Sequence, residues 1–314
     1  MIDSLLDRAA SVLERRFLTN AFLPVLLLPP AVLTPAFLQV EVAGALLDTW
    51  NRLTVGPKIL FTVGYFALSW FGATIVASQW RNIIRLFEGY PLARFRHAYQ
   101  AAAGWHRDQS TELNAPANDR FWYTKYWAYP TPNAALPTRL GNVLRAAELY
   151  PLDRYHADVI LIWPRLQHVL PRERIDDVEE ARSTLEFLLV VALWFAAFAT
   201  LAPVGLYVTD GDVVVAGLCF VLGLGASYAA YLSAISAAAE YGEHIRATFE
   251  MYRFDLLRRL RALPVRTPDE ERDQWRELAD FFGRNTPLAW RYADGESDDP
   301  PGSTPIRSAG VDER

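Results

Sequence analysis

The sequence predicts an all-α membrane protein with four transmembrane helices in two hairpins and a mainly helical cytoplasmic domain. Residues 187–209 and 213–239 form two uncharged apolar runs that are separated only by a short acidic turn. Residues 17–40 and 59–80 form two earlier runs, again without a charged side chain. Because about 20 apolar residues cross the hydrocarbon core of a bilayer, each run is long enough to span it.

These runs divide the chain into six parts. The first charged segment is too polar, and the following apolar run too long, for a typical cleavable signal, so we expect a retained first span. The expected parts are a cytoplasmic N-terminal helix (1–16), transmembrane hairpin 1 (17–80), a cytoplasmic insert domain (81–186), transmembrane hairpin 2 (187–239), cytoplasmic C-terminal helices (240–293) and a disordered tail (294–314).

The distribution of basic residues predicts the orientation. Nearly all Lys and Arg lie in the N-terminal arm, the insert and the segment after residue 239. The connection between the first two runs has only Arg52 and Lys58, and the 210–212 turn has none. Since cytoplasmic loops are enriched in Lys and Arg, both termini and the insert are expected in the cytoplasm. The scarcity of lysine relative to arginine is typical of GC-rich bacterial genomes and favours a bacterial plasma membrane.

The first span contains Pro29 and Pro30 in tandem, each of which removes a backbone hydrogen bond from a helix interior. One interpretation is a single kinked span that neighbouring helices repair. A second is a discontinuous helix whose freed carbonyls line a cavity or ion path. A third is a shorter re-entrant or interfacial segment.

After the second span, a cytoplasmic helix is expected to continue to the Gly89-Tyr90-Pro91 interruption, followed by a second helix over about 92–105. Residues 110–138 are predicted to be a loop. Its aromatic cluster at 121–129 is either a stacking surface for bases or an amphipathic patch at the headgroup boundary or on the domain core.

Three further helices are indicated by capping residues and apolar stripes. Thr138 caps a helix that we expect to end at Pro151, and residues 159–163 are a buried strand or an interfacial segment. The fourth span should continue past residue 239 as an amphipathic helix. Thr267 and Glu270 form a capping box for a last helix, with Gly283 as its expected end.

Part of the chain resembles a group of uncharacterised, actinobacterial-like integral membrane proteins. The resemblance lies in Thr138-Arg-Leu-Gly-Asn142, Arg145-Ala-Ala-Glu148, Trp163-Pro-Arg-Leu166, Tyr252-Arg-Phe-Asp-Leu256 and the Trp275 region. It implies the plan of four spans with a cytoplasmic insert. It implies no activity, and no residue inherits a functional role from it.

Few residues are candidates for catalysis or metal binding. Glu240, Glu243 and His244 are weak candidates for metal ligands, because a second helix with matching ligands is not evident. Tyr155, His156 and Asp158 bring an acid and a base together without a nucleophile, and no phosphate-binding loop occurs. We therefore predict no catalytic residue, cofactor or resident metal. The net charge of −5 argues against nucleic-acid binding.

The fourth run has small residues at every fourth position, Gly225, Ala229, Ser233 and Ala237. Such rows let helix backbones approach closely in lipid, so these four are predicted helix-packing residues, in an internal contact or a homo-oligomer.

Apart from tyrosines and Cys219, no ionisable side chain lies in any run. Pumps and ion-coupled carriers usually keep such groups at depth. The favoured function is a self-associating membrane anchor with a cytoplasmic interaction or sensing module that has a possible protein partner. The alternative is an oligomeric pore gated from the cytoplasm.

Overall fold

The structure is a computed structural model that describes residues 16–37, 39–113, 126 and 128–288. Those residues form helices and connecting turns, and none of them lies in a β-strand. The helices are α1 (Leu23–Phe37, preceded by one π-helical turn at Leu18–Phe22), α2 (Val40–Arg52), α3 (Val55–Ser78), α4 (Trp80–Phe87), α5 (Arg96–Leu113), α6 (Arg139–Tyr155), α7 (Val159–Leu166), α8 (Arg172–Val208), α9 (Val213–Arg259) and α10 (Pro268–Arg284). Short 3₁₀ turns occupy Tyr90–Arg94 and Pro132–Ala134.

Four helices are long and apolar enough to cross a membrane: Leu18–Phe37, α3, α8 and α9. They coincide with the four predicted runs. α8 has 37 residues and α9 has 47, so at 1.5 Å per residue they extend for about 55 Å and 70 Å. The hydrocarbon core is only about 30 Å thick. Both helices therefore continue well beyond it, which confirms that the fourth span runs on past residue 239.

α8 and α9 form a tight antiparallel hairpin. The Asp212 side chain caps α9 by accepting a hydrogen bond from the Val214 amide at 2.7 Å. A Cβ atom at Gly223 would lie 2.9 Å from the Ala199 Cβ, so glycine is required for this close approach of the two backbones. Below it, the Ser227 hydroxyl donates to the Ala192 carbonyl of α8 at 2.8 Å.

The four long helices pack mainly as a row in the order α3, α1, α8, α9. α1 runs parallel to α8. At its start, the Asn20 amide donates to the Ser183 backbone carbonyl at 3.1 Å. At its end, the Gln39 side chain lies 3.4 Å from the Thr209 hydroxyl, beside the turn that joins α8 to α9. The N-terminal end of α1 therefore lies on the same side as the polar half of the α8–α9 hairpin.

The tandem prolines do not interrupt the first span, because α1 continues through Pro29, Pro30 and Pro35. The discontinuous-helix interpretation is wrong, and the irregularity of this span is the π-helical turn Leu18–Phe22, about two helix turns before Pro29. Pro30 has no N–H to donate to the Leu26 carbonyl. The Tyr65 hydroxyl of α3 donates to that carbonyl instead. A neighbouring helix thus satisfies the freed group, as the first interpretation required.

α2 was not predicted. It follows α1 directly and presents Leu46, Leu47 and Trp50 as exposed apolar side chains. These residues recur at the spacing of one helix face, whereas Asp48 and Arg52 lie away from it. The helix packs chiefly on α1.

Several other helix boundaries differ from the prediction. Pro151 does not end α6, which continues to Tyr155 and stops where His156 adopts a left-handed conformation (φ 61°). Residues 159–163 belong to helix α7, because Asp158 caps it through the Ile160 amide at 2.9 Å, so the strand alternative is wrong. α10 continues past Gly283 to Arg284 and stops where Asn285 adopts a left-handed conformation (φ 55°). α5 begins at Arg96 and extends to Leu113.

Two apolar cores join the long helices to the shorter ones. The first joins α4, α6, α8 and α9 through Ile83, Leu140, Val143, Leu185, Leu189 and Ala234. The second joins the insert to the C-terminal segment through Ile162, Leu166, Phe249, Leu256, Trp275 and Leu278. We use the name polar module for the assembly of α4–α7, α10, the part of α8 before residue 187 and the part of α9 after residue 239. Its helices come from two separate chain segments, which the second core joins.

Candidate functional site

The second core holds the insert against the extension of α9. The Phe249 side chain is fully buried and lies between two aromatic rings, Tyr155 at 5.6 Å and Trp275 at 5.6 Å between centroids. Tyr155 belongs to the insert and Trp275 to α10. Because aromatic side chains bury large areas and prefer such tilted contacts, Phe249 is the centre of this packing.

Charged groups next to this core are paired. Arg253 Nε lies 2.7 Å from Glu271 Oε1, and the guanidinium stacks on the Tyr155 ring at 4.6 Å. The Tyr150 hydroxyl donates to the Glu250 carboxylate. Burial and this hydrogen bond raise the pKa of Tyr150. Such pairs fix the register of α6 and α10 on α9 rather than leaving a reactive group exposed.

The candidate metal ligands do not converge. Glu240 is exposed, and the Glu243 carboxylate accepts a hydrogen bond from Arg246 at 2.8 Å. His244 is half-buried on the same helix. Among the residues that the structure describes, no three His, Cys, Asp or Glu side chains are grouped as metal ligands.

The possible acid–base residues at the end of α6 make structural contacts. His156 Nδ1 lies 2.8 Å from a guanidinium nitrogen of Arg276, which joins the insert to α10. The Asp158 carboxylate is the cap of α7. Glu148 pairs with Arg145 one helical turn away at 2.6 Å. Each side chain thus holds a helix end or a helix surface in place.

The small-residue row of α9 mostly faces away from the rest of the chain. Gly225, Ala229 and Ser233 are exposed, and only Ala237 is buried. A Cβ atom at Gly225 would meet no other atom within 4 Å. The side of α9 that packs on α8 is instead marked by Gly223, Ser227 and Ala234. Gly225, Ala229 and Ser233 are therefore open to a partner outside the described residues.

A buried histidine that the sequence did not single out lies in the polar module. His106 is 7% exposed, and its Nδ1 lies 3.2 Å from the Tyr129 hydroxyl. Burial, followed by the nearby Arg139, lowers the pKa of His106. A cavity of about 210 Å³ beside it is lined by Ser110, Asp153 and several tyrosines. Most of the predicted aromatic patch, like the N-terminal helix and the tail, lies outside the described residues.

Comparison with known proteins finds no matching family model, curated protein or solved structure.

Proposed function

We propose that the protein is an anchor in a bacterial plasma membrane that presents a rigid helical interaction or sensing module to the cytoplasm. The observation that carries this proposal is the continuity of α8 and α9. Both helices pass without a break from the apolar runs into the polar module. These continuous helices would therefore hold the second core, which contains Phe249 and Trp275, at a fixed position relative to the membrane.

Hydrogen exchange in a nanodisc tests this rigidity. We expect the amides of α9 beyond residue 239 to exchange as slowly as those of α6 and α10, because the three helices share a core. Fast exchange confined to residues 240–248, with slow exchange on both sides, would reveal a hinge and contradict a rigid platform.

The orientation supports contact with cytoplasmic proteins. Basic side chains, including Arg81, Arg94 and Arg96, are exposed on the module, and Arg81 lies three residues after the end of α3. A reporter active only in the cytoplasm is expected to be active when fused after Arg314. The same reporter inserted in the 210–212 turn should be silent, and activity there would reverse the proposed orientation.

Self-association through α9 belongs to the same proposal. A large side chain in the exposed small-residue row should push neighbouring subunits apart, so Ala229→Leu is expected to convert the detergent-solubilised oligomer to folded monomers. Ala239→Leu is the matched control, since Ala239 is exposed about 80° further around the same helix. Light scattering after size-exclusion chromatography reports the mass. An unchanged mass for Ala229→Leu would remove the row from the subunit contact.

The pore alternative makes a different prediction. A row of four helices encloses no lumen by itself, so a conducting path would have to form between several copies. Ion flux into proteoliposomes that contain the purified protein separates the two functions. Ion flux that the Ala229→Leu variant abolishes would support the pore function. For an anchor we expect no flux above that of empty liposomes.

A further inference from the structure

A cavity of about 340 Å³ opens where the segment just before α1, the end of α3 and the middle of α8 meet. One end of it is lined by four charged side chains, Arg16, Glu179, Arg182 and Glu186. Arg16 pairs with Glu179. Arg182 Nε lies 2.9 Å from Glu186 Oε1, and Arg182 Nη1 lies 3.9 Å from Glu179 Oε1. The four groups form one connected network with no net charge.

The lining changes from charged to apolar along the axis of α8. On α8 the successive lining residues are Glu179, Arg182, Glu186 and Val190, and the uncharged run begins directly after Glu186. On the other wall the lining passes from Trp80, the first residue of α4, to Ala77 and Val76 near the end of α3. The cavity therefore straddles the expected boundary between headgroups and acyl chains.

Two helix irregularities border this cavity. The π-helical turn Leu18–Phe22 carries the lining residues Asn20 and Ala21. On the opposite wall, α3 and α4 are separated at Gln79, whose backbone (φ −91°, ψ 14°) departs from helical geometry. Such interruptions of regular helices frequently mark functional sites.

We propose that this cavity binds one phospholipid with a zwitterionic headgroup that carries a phosphate and a primary ammonium. The arginines are donors for the phosphate, and the carboxylates of Glu179 and Glu186 accept from the ammonium. One acyl chain lies along Val76, Ala77 and Val190. An anionic headgroup adds uncompensated negative charge to a neutral network, whereas a zwitterion adds none. The inference rests on membrane insertion of the four helices and not on the anchor function.

Lipid retention tests the proposal. The full chain is reconstituted in vesicles of phosphatidylethanolamine and phosphatidylglycerol in equal amounts with identical acyl chains, extracted gently and analysed by native mass spectrometry. We expect one retained phosphatidylethanolamine per subunit, favoured roughly tenfold over phosphatidylglycerol, the scale of one charge-assisted hydrogen bond. Equal retention of the two lipids, or retention of neither, would overturn the proposal.

Two variants locate the site. Ala77→Leu fills the apolar end and should remove the retained lipid without changing the melting temperature, because Ala77 is exposed. Ala67→Leu makes the same change on the same helix away from the cavity and should retain it. Glu186→Gln removes one acceptor and leaves the network with a net positive charge, so the preference should reverse toward phosphatidylglycerol. Wild-type retention by Ala77→Leu, or an unchanged preference in a folded Glu186→Gln protein, would refute the site.

Discussion

Replacing Phe249 with alanine should destabilise the whole polar module. The side chain is 0% exposed, and its ring contacts one ring from the insert and one from α10. Truncation of a fully buried phenylalanine typically costs about 3–5 kcal/mol, which includes lost transfer free energy and the cavity left behind. For a domain of this size we expect the melting temperature to fall on the order of 10 °C.

Thermal unfolding in detergent, followed by limited proteolysis at fixed temperature, measures the effect. Phe254→Ala is the matched control, because Phe254 lies on the same helix but is 41% exposed. Its ring contacts the Arg253 guanidinium, 4.3 Å from the ring centroid. An exposed cation–π contact contributes about 0.5–1 kcal/mol, so this variant should melt within a few degrees of the wild type.

The pattern of cleavage distinguishes a shared core from two independent ones. Because Phe249 joins both chain segments, its truncation should expose protease sites in the insert and in α10 at the same temperature. Cleavage confined to one segment, or equal melting temperatures for Phe249→Ala and Phe254→Ala, would refute the assignment of one common core.

Two further predictions concern individual polar groups. Ser227→Ala removes the hydrogen bond to the Ala192 carbonyl but keeps the volume, so it should cost less than about 1 kcal/mol of stability, measured by thermal unfolding in detergent; a larger loss would show that this bond is essential to the hairpin. Because burial lowers the pKa of His106 in the folded protein, the unfolded chain takes up a proton on this histidine at a higher pH than the folded protein does. The stability that depends on neutral His106 should therefore be lost as the pH falls below 6.5, the ordinary pKa of histidine. The difference in melting temperature between His106→Gln and the wild type should therefore shift in favour of the variant between pH 7.5 and pH 5, and a pH-independent difference would contradict the burial argument.

Local signals predicted much of the fold. The lengths of the uncharged runs located all four long helices. The hydroxyls of Thr138 and Thr267 each accept from the amide three residues later, at 3.1 Å and 3.2 Å, as their positions before apolar stripes indicated. In the predicted capping box, however, Glu270 accepts from the Arg266 amide rather than from that of Thr267.

Features that depend on tertiary contact were not predictable from local sequence. Pro151 is fully buried, so packing holds α6 together across the hydrogen bond that the proline removes. The row Gly225, Ala229 and Ser233 has the spacing of a packing face, yet spacing alone does not identify which side of α9 meets α8. The cavity at Arg16 and Glu179 joins residues far apart in the chain, and no local pattern marks it.

The bond between Tyr65 and the Leu26 carbonyl constrains the order in which the protein enters the membrane. α1 emerges from the ribosome well before α3, and until α3 arrives the carbonyl freed by Pro30 has no donor from that helix. An unsatisfied carbonyl in hydrocarbon costs several kcal/mol. Insertion of α1 alone into lipid is therefore unfavourable. Insertion of α1 together with α3 avoids this cost. Tyr65→Phe should then lower the yield of correctly inserted chains more than it lowers the stability of those that succeed.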